Sequence, residues 1–239
     1  MKLLDLTLPT PEENLACDEA LLDGCEVGGG DDLLRFWEPR GYFVVVGYAN
    51  NVATEVDVAA CADDGVPILR RCSGGGTVLQ GPGCLNYSLI LRIAEGRALQ
   101  TISGANRFIM QRHREALVRA CGAAVAVRGH TDLALCGRKF SGNSQRRRRH
   151  FLLFHGTFLL ELDLARVERY LPMPSKQPGY RRERIHREFL TNLRMPATQV
   201  KALLRDAWGA TAPATPVPFG AISALVREKY STPAWNFRS

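Results

Sequence analysis

The sequence predicts an α+β fold in a single domain, and three observations carry that reading. Strand-like runs crowd the middle of the chain, helical periodicities occupy both ends, and 239 residues suffice for one sizeable hydrophobic core. The 46% hydrophobic and 23% charged fractions are those of a globular protein and exclude disordered, collagenous and coiled-coil classes.

Thr10-Pro11-Glu12-Glu13 reads as a helix start: Thr10 caps, Pro11 suits the first turn, and Glu13 completes a capping box. Leu15, Ala16, Ala20, Leu21 and Leu22 follow at helical spacing as far as Gly24. Two β-rich runs, 33–37 and 42–48, flank a turn holding Pro39 and Gly41. Residues 54–63 read as helix and 66–70 as strand; 77–80 and 85–92 are strands around Gly81-Pro82-Gly83. Ile102, Ala105, Ile109, Ala116 and Ala120 predict a helix over 102–120 that stops at Gly122. The period then falls to two. Runs 123–128, 132–136, 138–140, 151–154 and 157–162 predict strands, with Cys136-Gly137 as a turn. Helices are expected near 164–170, 184–193, 198–208 and 220–230. Residues 212–218, with three prolines, form the best linker candidate, but too little chain follows for a second domain, so one domain over 1–239 is expected.

Lys+Arg 31 against Asp+Glu 24 leaves a net charge of +7, which favours nucleic acid, nucleotide phosphates or an acidic protein surface as partners. Only five of the basic residues are lysines, so a lysine inside a glycine-rich motif is informative. Seven cysteines, an odd number with no C-x-x-C pair, argue against a disulfide framework and a zinc knuckle and favour the cytoplasm. The N-terminus turns polar at Thr7-Leu8-Pro9 before a signal core forms, and the most apolar stretch, 151–160, is too short to span a bilayer, so no membrane association is expected.

Arg70-Arg71-Cys72-Ser73-Gly74-Gly75-Gly76-Thr77 is the most informative run. Three glycines between strands let backbone approach a ligand closely and let successive amides form an anion nest, and the arginines add bidentate recognition. The spacing fits neither a P-loop nor a dinucleotide fingerprint, and a glycine triplet alone is also compatible with a mobile turn. Lys139 stands in a turn-rich strand segment running on through Ser141-Gly142, suited to reaching an anion; taken by itself, an exposed hairpin lysine is the commoner case. His155-Gly156-Thr157 interrupts an apolar strand pair, where the histidine either orients a substrate or is hydrogen-bonded in the core. Residues 146–149 are four arginines, a solvated loop or an acidic-partner contact; 174–182 is a proline-bounded basic loop open to substrate or partner.

Taken in order, Asn14-Leu15-Ala16 with Asp18-Glu19-Ala20-Leu21-Leu22, Gly47-Tyr48-Ala49-Asn50, the arginine–glycine run with Asn86-Tyr87-Ser88, Lys139 to Gly142, and His155-Gly156-Thr157 resemble the lipoate-protein ligase A family. That family lies within the biotin/lipoate ligase and lipoyl/octanoyl transferase superfamily. The resemblance spans about residues 14–237. It implies a mixed β-sheet catalytic domain of the biotin/lipoate ligase type, helices packed around it, and ATP, Mg²⁺ and lipoate as cofactors and substrate. It further implies that lipoate and ATP form lipoyl-AMP, whose acyl group passes to a lysine of a lipoyl domain. Lys139 would be catalytic, contacting carboxylate and α-phosphate. Arg70, Arg71, Ser73, Gly74, Gly75 and Gly76 would frame the acyl and phosphate pocket, and Asn86 would bind nucleotide phosphate or metal. Gly142, His155, Gly156 and Thr157 would line the nucleotide and lipoyl side, with no metal ligands assigned. The partners implied are lipoyl domains of 2-oxoacid dehydrogenase complexes or the glycine cleavage H protein.

Two departures shape the alternatives. The chain ends at Trp235-Asn236-Phe237-Arg238-Ser239, where two-domain ligases continue into an accessory domain, so a separate accessory subunit is a possible partner. Octanoyl transferases of the superfamily also end near this point. They use a thioester cysteine about fifteen residues before the lysine, and residues 122–126 hold none. Cys121 and Cys136 fit that position poorly, and Cys72 and Cys84 lie near the glycine run. The expected activity is therefore the ATP-dependent ligase, then a transferase using an acyl-carrier-protein thioester. A non-catalytic or nucleic-acid-binding relative ranks third, because the basic block lacks interleaved aromatics.

Overall fold

A computed structural model of the chain describes residues 1–94, 98–121, 124–214 and 216–238. Its strands are β1 (Lys2–Asp5), β2 (Leu33–Trp37), β3 (Phe43–Val46), β4 (Ile68–Arg70), β5 (Val78–Gln80) and β6 (Cys84–Arg92). After these come β7 (Val125–Arg128), β8 (Asp132–Leu135), β9 (Arg138–Arg147), β10 (Phe151–Leu159) and β11 (Ala212–Pro213). Eight of them form a mixed sheet in the order β11-β1-β2-β6-β10-β9-β8-β7, and β4-β3-β5 form a smaller one.

The helices are α1 (Pro11–Gly28), α2 (Val52–Glu55), α3 (Val58–Asp63), α4 (Ile102–Cys121) and α5 (Leu164–Tyr170), then α6 (His186–Phe189), α7 (Ala197–Trp208), α8 (Phe219–Leu225) and α9 (Pro233–Asn236). The predicted capping box at Thr10 is present: Thr10 Oγ1 accepts from the Glu13 amide, and Glu13 accepts from the Thr10 amide. Strand alternation sorts the core. Leu85, Tyr87 and Leu89 of β6, with Leu152, Phe154 and Phe158 of β10, pack with Ile109 of α4 and Val200 and Leu204 of α7. Ile90, Phe151 and Leu153 face the other way, toward Leu15 and Leu22 of α1 and Val45 and Leu69 of the small sheet. Each buried aromatic or aliphatic side chain contributes roughly 1.5–3 kcal/mol. The second face of the small sheet is covered by α2, α3 and α5 through Val52, Cys61 and Val167.

Several expectations need correction. β10 runs unbroken through His155-Gly156, because both residues stay in its ladders with β6 and β9. β9 extends to Arg147 and so absorbs half of the arginine block. The proline-rich linker candidate contains a strand: Ala212 and Pro213 pair parallel with Lys2 and Leu3 of β1, which sequence periodicity had missed. The helix over 54–63 breaks into two because Asp57 caps a new start by accepting from the Ala60 amide. The helix over 184–193 reduces to the single turn α6, and the 220–230 helix ends in a π-helical turn, Val226–Tyr230. The predicted stop at Gly122 and strand start at Ala123 lie outside the described residues.

Candidate active site

Three separate motifs become rungs of one ladder. Asn86, Thr157 and Gly142 lie side by side across β6, β10 and β9, then Tyr87, Gly156 and Asn143, then Ser88, His155 and Ser144. By alternation, the first and third rungs face the small sheet and the middle rung faces the α4–α7 core. On the core side, Asn143 folds flat across Gly156, accepting from the Tyr87 hydroxyl at 2.5 Å and donating to the Thr131 carbonyl at 2.6 Å. A Cβ on Gly156 would sit 1.7 Å from that Asn143 oxygen, so only glycine fits. Gly156 therefore holds the strand in place from behind the site. On the other face, the Thr157 hydroxyl donates to Asn86 at 2.5 Å and accepts from Gln80 at 2.6 Å, while Asn86 donates to Gln80 at 3.0 Å. Asn86 thus belongs to a closed polar ring.

The glycine loop between β4 and β5 is fixed from inside. Arg71 is buried and curls beneath it, donating to the carbonyls of Gly74 at 2.6 Å and Gly76 at 2.6 Å. Burial lowers its pKa to about 10, which leaves the guanidinium charged at neutral pH. Ser144 of β9 also donates to the Gly74 carbonyl, at 2.9 Å. With those carbonyls held, Gly74 and Gly76 turn an open face outward, where even a Cβ would meet nothing within 4 Å. That is the surface a ligand can approach closely. Ser73 anchors the loop's entry: its Oγ lies 2.5 Å from His155 Nε2, and His155 Nδ1 lies 3.2 Å from Asp18 of α1. Asp18 is in turn paired with Arg35 at 2.6 Å. Burial opposes the Asp18 charge, but Arg35 and His155 outweigh it and hold its pKa below the ordinary value. Ser73 is 1% exposed, and the Asp18 charge is already neutralised by Arg35, so this serine–histidine–aspartate chain acts as a strut between loop and sheet.

Arg70 departs from the expected ligand contact. It is fully buried, and its guanidinium donates to the carbonyls of Gly47, Tyr48, Asn50, Trp235 and Arg238. It staples the C-terminal segment to the 47–50 loop, and Gly47 packs so tightly on Gly75 that a Cβ would lie 2.1 Å from its carbonyl oxygen. Arg70 reaches the site only through this packing.

Lys139 shows why the motif is spaced as it is. Residues three apart on a regular strand face opposite ways, yet Leu133 pairs with Ser141 while Ala134 pairs with Lys139, so β9 bulges at Phe140. The bulge sends Phe140 into the core and brings Lys139 and Gly142 to the same face. The ammonium then lies over Gly142, where a Cβ would come within 2.6 Å of Nζ. Asp132 of β8 holds Nζ at 2.8 Å, and the Tyr180 hydroxyl donates to the other Asp132 oxygen at 2.8 Å. Gly142→Ala is expected to displace the lysine head without unfolding the strand. Activity should fall about 10-fold or more while the melting temperature moves less than about 3 °C, measured by turnover and thermal melts.

The structure therefore gathers Arg71, Ser73, Gly74, Gly75, Gly76, Lys139, Gly142, His155 and Thr157 on one side of the large sheet. Arg70 and Gly156 lie behind it, and Asn86 sits in the polar ring. The sequence reading did not single out Asp132, Gln80 or Asn143, and took Tyr180 only as part of the basic loop 174–182. Asp132 was recoverable, because the Cys136-Gly137 turn makes Ala134 and Lys139 partners and puts Asp132 diagonally beside the lysine. Three of the four arginines in the block are committed internally: Arg146 lies over the Tyr48 ring, Arg147 donates to the Leu99 carbonyl, and Arg148 pairs with Asp23, while Arg149 is exposed. Among the described residues, no group of three His, Cys, Asp or Glu side chains is arranged to hold a metal, and no helix is long and apolar enough to cross a membrane. Burial pushes the thiols of Cys72 and Cys84 up to about 12 and those of Cys17 and Cys61 to about 11, which leaves them protonated at neutral pH.

Residues 10–204 match the family model described as the lipoyl protein ligase A/B catalytic domain, and the chain belongs to that family. It is 30% identical over 205 residues to a Mycoplasma pneumoniae protein named "Probable lipoate-protein ligase A", covering 82% of this chain and 59% of that one. It is also 27% identical over 276 residues to the octanoyltransferase LipM of Geobacillus kaustophilus, covering 99% of this chain and 98% of that one. Two solved structures share the fold, each with a TM-score of 0.83 over 99% of this chain. One is a lipoate-protein ligase A bound with ATP, 23% identical over 98% of that chain. The other is from a bi-partite lipoate protein ligase and its E2 lipoyl domain from Thermoplasma acidophilum, 24% identical over 95% of that chain.

Proposed function

We propose that the chain is an ATP-dependent lipoate-protein ligase. A lipoate carboxylate oxygen attacks the α-phosphorus of ATP, pyrophosphate leaves, and lipoyl-AMP forms. The lysine amine of a lipoyl domain then attacks the acyl carbonyl, AMP leaves, and the amine's proton passes to solvent. The observation that carries this reading is the single ammonium of Lys139, held over Gly142 on the strand that also props the glycine loop. Adenylation brings two anions together, and a fixed cation there stabilises charge as it develops. Gly74 and Gly76, open on their outer side, let the loop backbone come close to the same anions. Asp132 is engaged by Lys139 and Tyr180, so Mg²⁺ is expected to arrive as its ATP complex. The acceptors proposed are lipoyl domains of 2-oxoacid dehydrogenase complexes or the glycine cleavage H protein. The likeness to a bi-partite ligase supports a separate accessory subunit, and cytoplasmic action is part of the same reading.

The likeness to LipM over nearly its whole length favours a second reading, octanoyl transfer from a carrier-protein thioester. The raised thiol pKa values of the buried cysteines weigh against it. Intact mass of a lipoyl domain separates the two. The expected result is a lipoyl gain that requires Mg-ATP and survives serine replacement of Cys72, Cys84, Cys121 and Cys136. An octanoyl gain from octanoyl-carrier protein without ATP, together with an acyl adduct on the chain itself, would overturn the ligase in favour of the transferase.

A further inference from the structure

Lys139 is held by more than its own strand. Its ammonium shares the Asp132 carboxylate with the Tyr180 hydroxyl, one oxygen each, at 2.8 Å on either side. Burial and the neighbouring carboxylate push the Tyr180 phenol above its ordinary pKa, so it remains a donor at working pH. Tyr180 belongs to the segment 172–184, which contains the basic loop 174–182 and packs beside Asp132 and Phe189. Its ring lies tilted against Phe189, with centroids 5.1 Å apart, and Pro178 and Tyr180 both lie against Gly129 in the β7–β8 turn. Farther along, Ser175 donates to the buried Glu55 of α2.

The segment is also strained. Arg182 and Glu183 both adopt left-handed backbone, φ 53° and 57°, which costs non-glycine residues energy and persists only where surrounding contacts over-determine it. Those contacts flank the pair. Arg181 and Arg184 lie over the Phe189 ring at 4.7 and 5.3 Å, and Arg184 donates to the Gly137 carbonyl at 3.2 Å. Behind Phe189, Leu190 bridges to Lys139, and the Thr191 amide donates to the Lys139 carbonyl at 2.9 Å. The head group of this lysine is thus tied through Asp132 to Tyr180, and its backbone to Leu190 and Thr191, with Phe189 packed between the two.

We propose that Asp132 and Tyr180 are positioning residues that hold Lys139 over Gly142, and that Tyr180 makes this hold depend on the seating of segment 172–184. The inference rests on Lys139 being the ammonium that meets the acyl carboxylate. Asp132 alone would bind Lys139 as a full counter-charge and compete with the incoming anion. The Tyr180 hydroxyl draws off part of that charge and orients the carboxylate, so the lysine is both aimed and available. When the segment lifts, Asp132 loses its second partner and the lysine loses its fixed position.

The test uses the full chain labelled with ¹⁵N-lysine. Five lysines give few side-chain signals, and the Lys139 Nζ resonance is identified by its loss in Lys139→Ala. Tyr180→Phe is expected to shift or broaden that resonance and to raise KM for lipoate at least threefold, with kcat within twofold. Asp132→Asn is expected to broaden it further and to lower kcat at least 10-fold, with partial recovery in Asp132→Glu. Near-ultraviolet circular dichroism verifies that each variant is folded. An unmoved Lys139 resonance with unchanged KM in folded Tyr180→Phe would overturn the proposal, as would an unmoved resonance in Asp132→Asn. If the wild type forms no lipoyl-AMP, the ligase reading falls, yet the nitrogen signal still decides whether Asp132 and Tyr180 hold the lysine.

Discussion

Lys139→Ala is expected to lower lipoyl-AMP formation by about 10²–10³-fold, the usual loss when one preorganised charge-stabilising donor is removed. The fold should survive, because the ammonium packs over a glycine and leaves no apolar cavity. Asp132 keeps the Tyr180 hydroxyl, so the melting temperature should drop by only a few degrees. Lys139→Arg should not restore the rate. The guanidinium is planar and wider than an ammonium, and the space between Asp132 and Gly142 is built around a compact cation. Pyrophosphate exchange with lipoate and ATP measures this step without any lipoyl domain. A folded Lys139→Ala protein that keeps more than about a third of the wild-type rate would remove the lysine from the chemistry.

Arg70→Ala is expected to have the largest effect on stability. It strips donors from five backbone carbonyls in two separate segments and empties a fully buried site. Orphaning buried acceptors costs about 1–3 kcal/mol each, without simple additivity, so a total of about 3–5 kcal/mol is expected. For a chain of this size that is a fall of roughly 8–15 °C in melting temperature. Activity at low temperature should fall too, because the 47–50 loop supports Gly75 from behind. Arg70→Lys keeps the charge but offers three donors on a rotatable head, and should land between the two. Urea and thermal unfolding, with activity at 20 °C, provide the measurement; a shift under about 2 °C would show the carbonyls to be satisfied without it.

Sequence and structure part company at particular residues. Helix α1 was legible to its first hydrogen bond because capping is local: Thr10, Pro11 and Glu13 decide it among themselves. Strand β2 and helix α5 were legible for the same reason, through β-rich composition and helical periodicity over a handful of residues. The unbroken β10 was not, since Gly156 looks like a breaker until Asn143 is seen filling the space of its missing side chain. The fate of Arg70 was hidden because three of its partners, in residues 235–238, lie some 165 positions away. The resemblance located the glycine run and Lys139, but the bulge that aims Lys139 exists only in the pairing of β8 with β9.

The rungs formed by Asn86, Thr157 and Gly142 and by Ser88, His155 and Ser144 bear on how this chain tolerates change in length. One residue inserted into β6, β9 or β10 would swap every side chain beyond it to the wrong face and part His155 from Ser73. Even the hairpin joining β9 to β10 has a fixed size, because the Glu26 carboxylate on α1 accepts the consecutive amides of Arg149, His150 and Phe151. Insertions and deletions are thus confined to connections outside these three strands. Within them the motifs can drift in composition but not in count, and together they behave as a single cassette that must be inherited or transplanted whole.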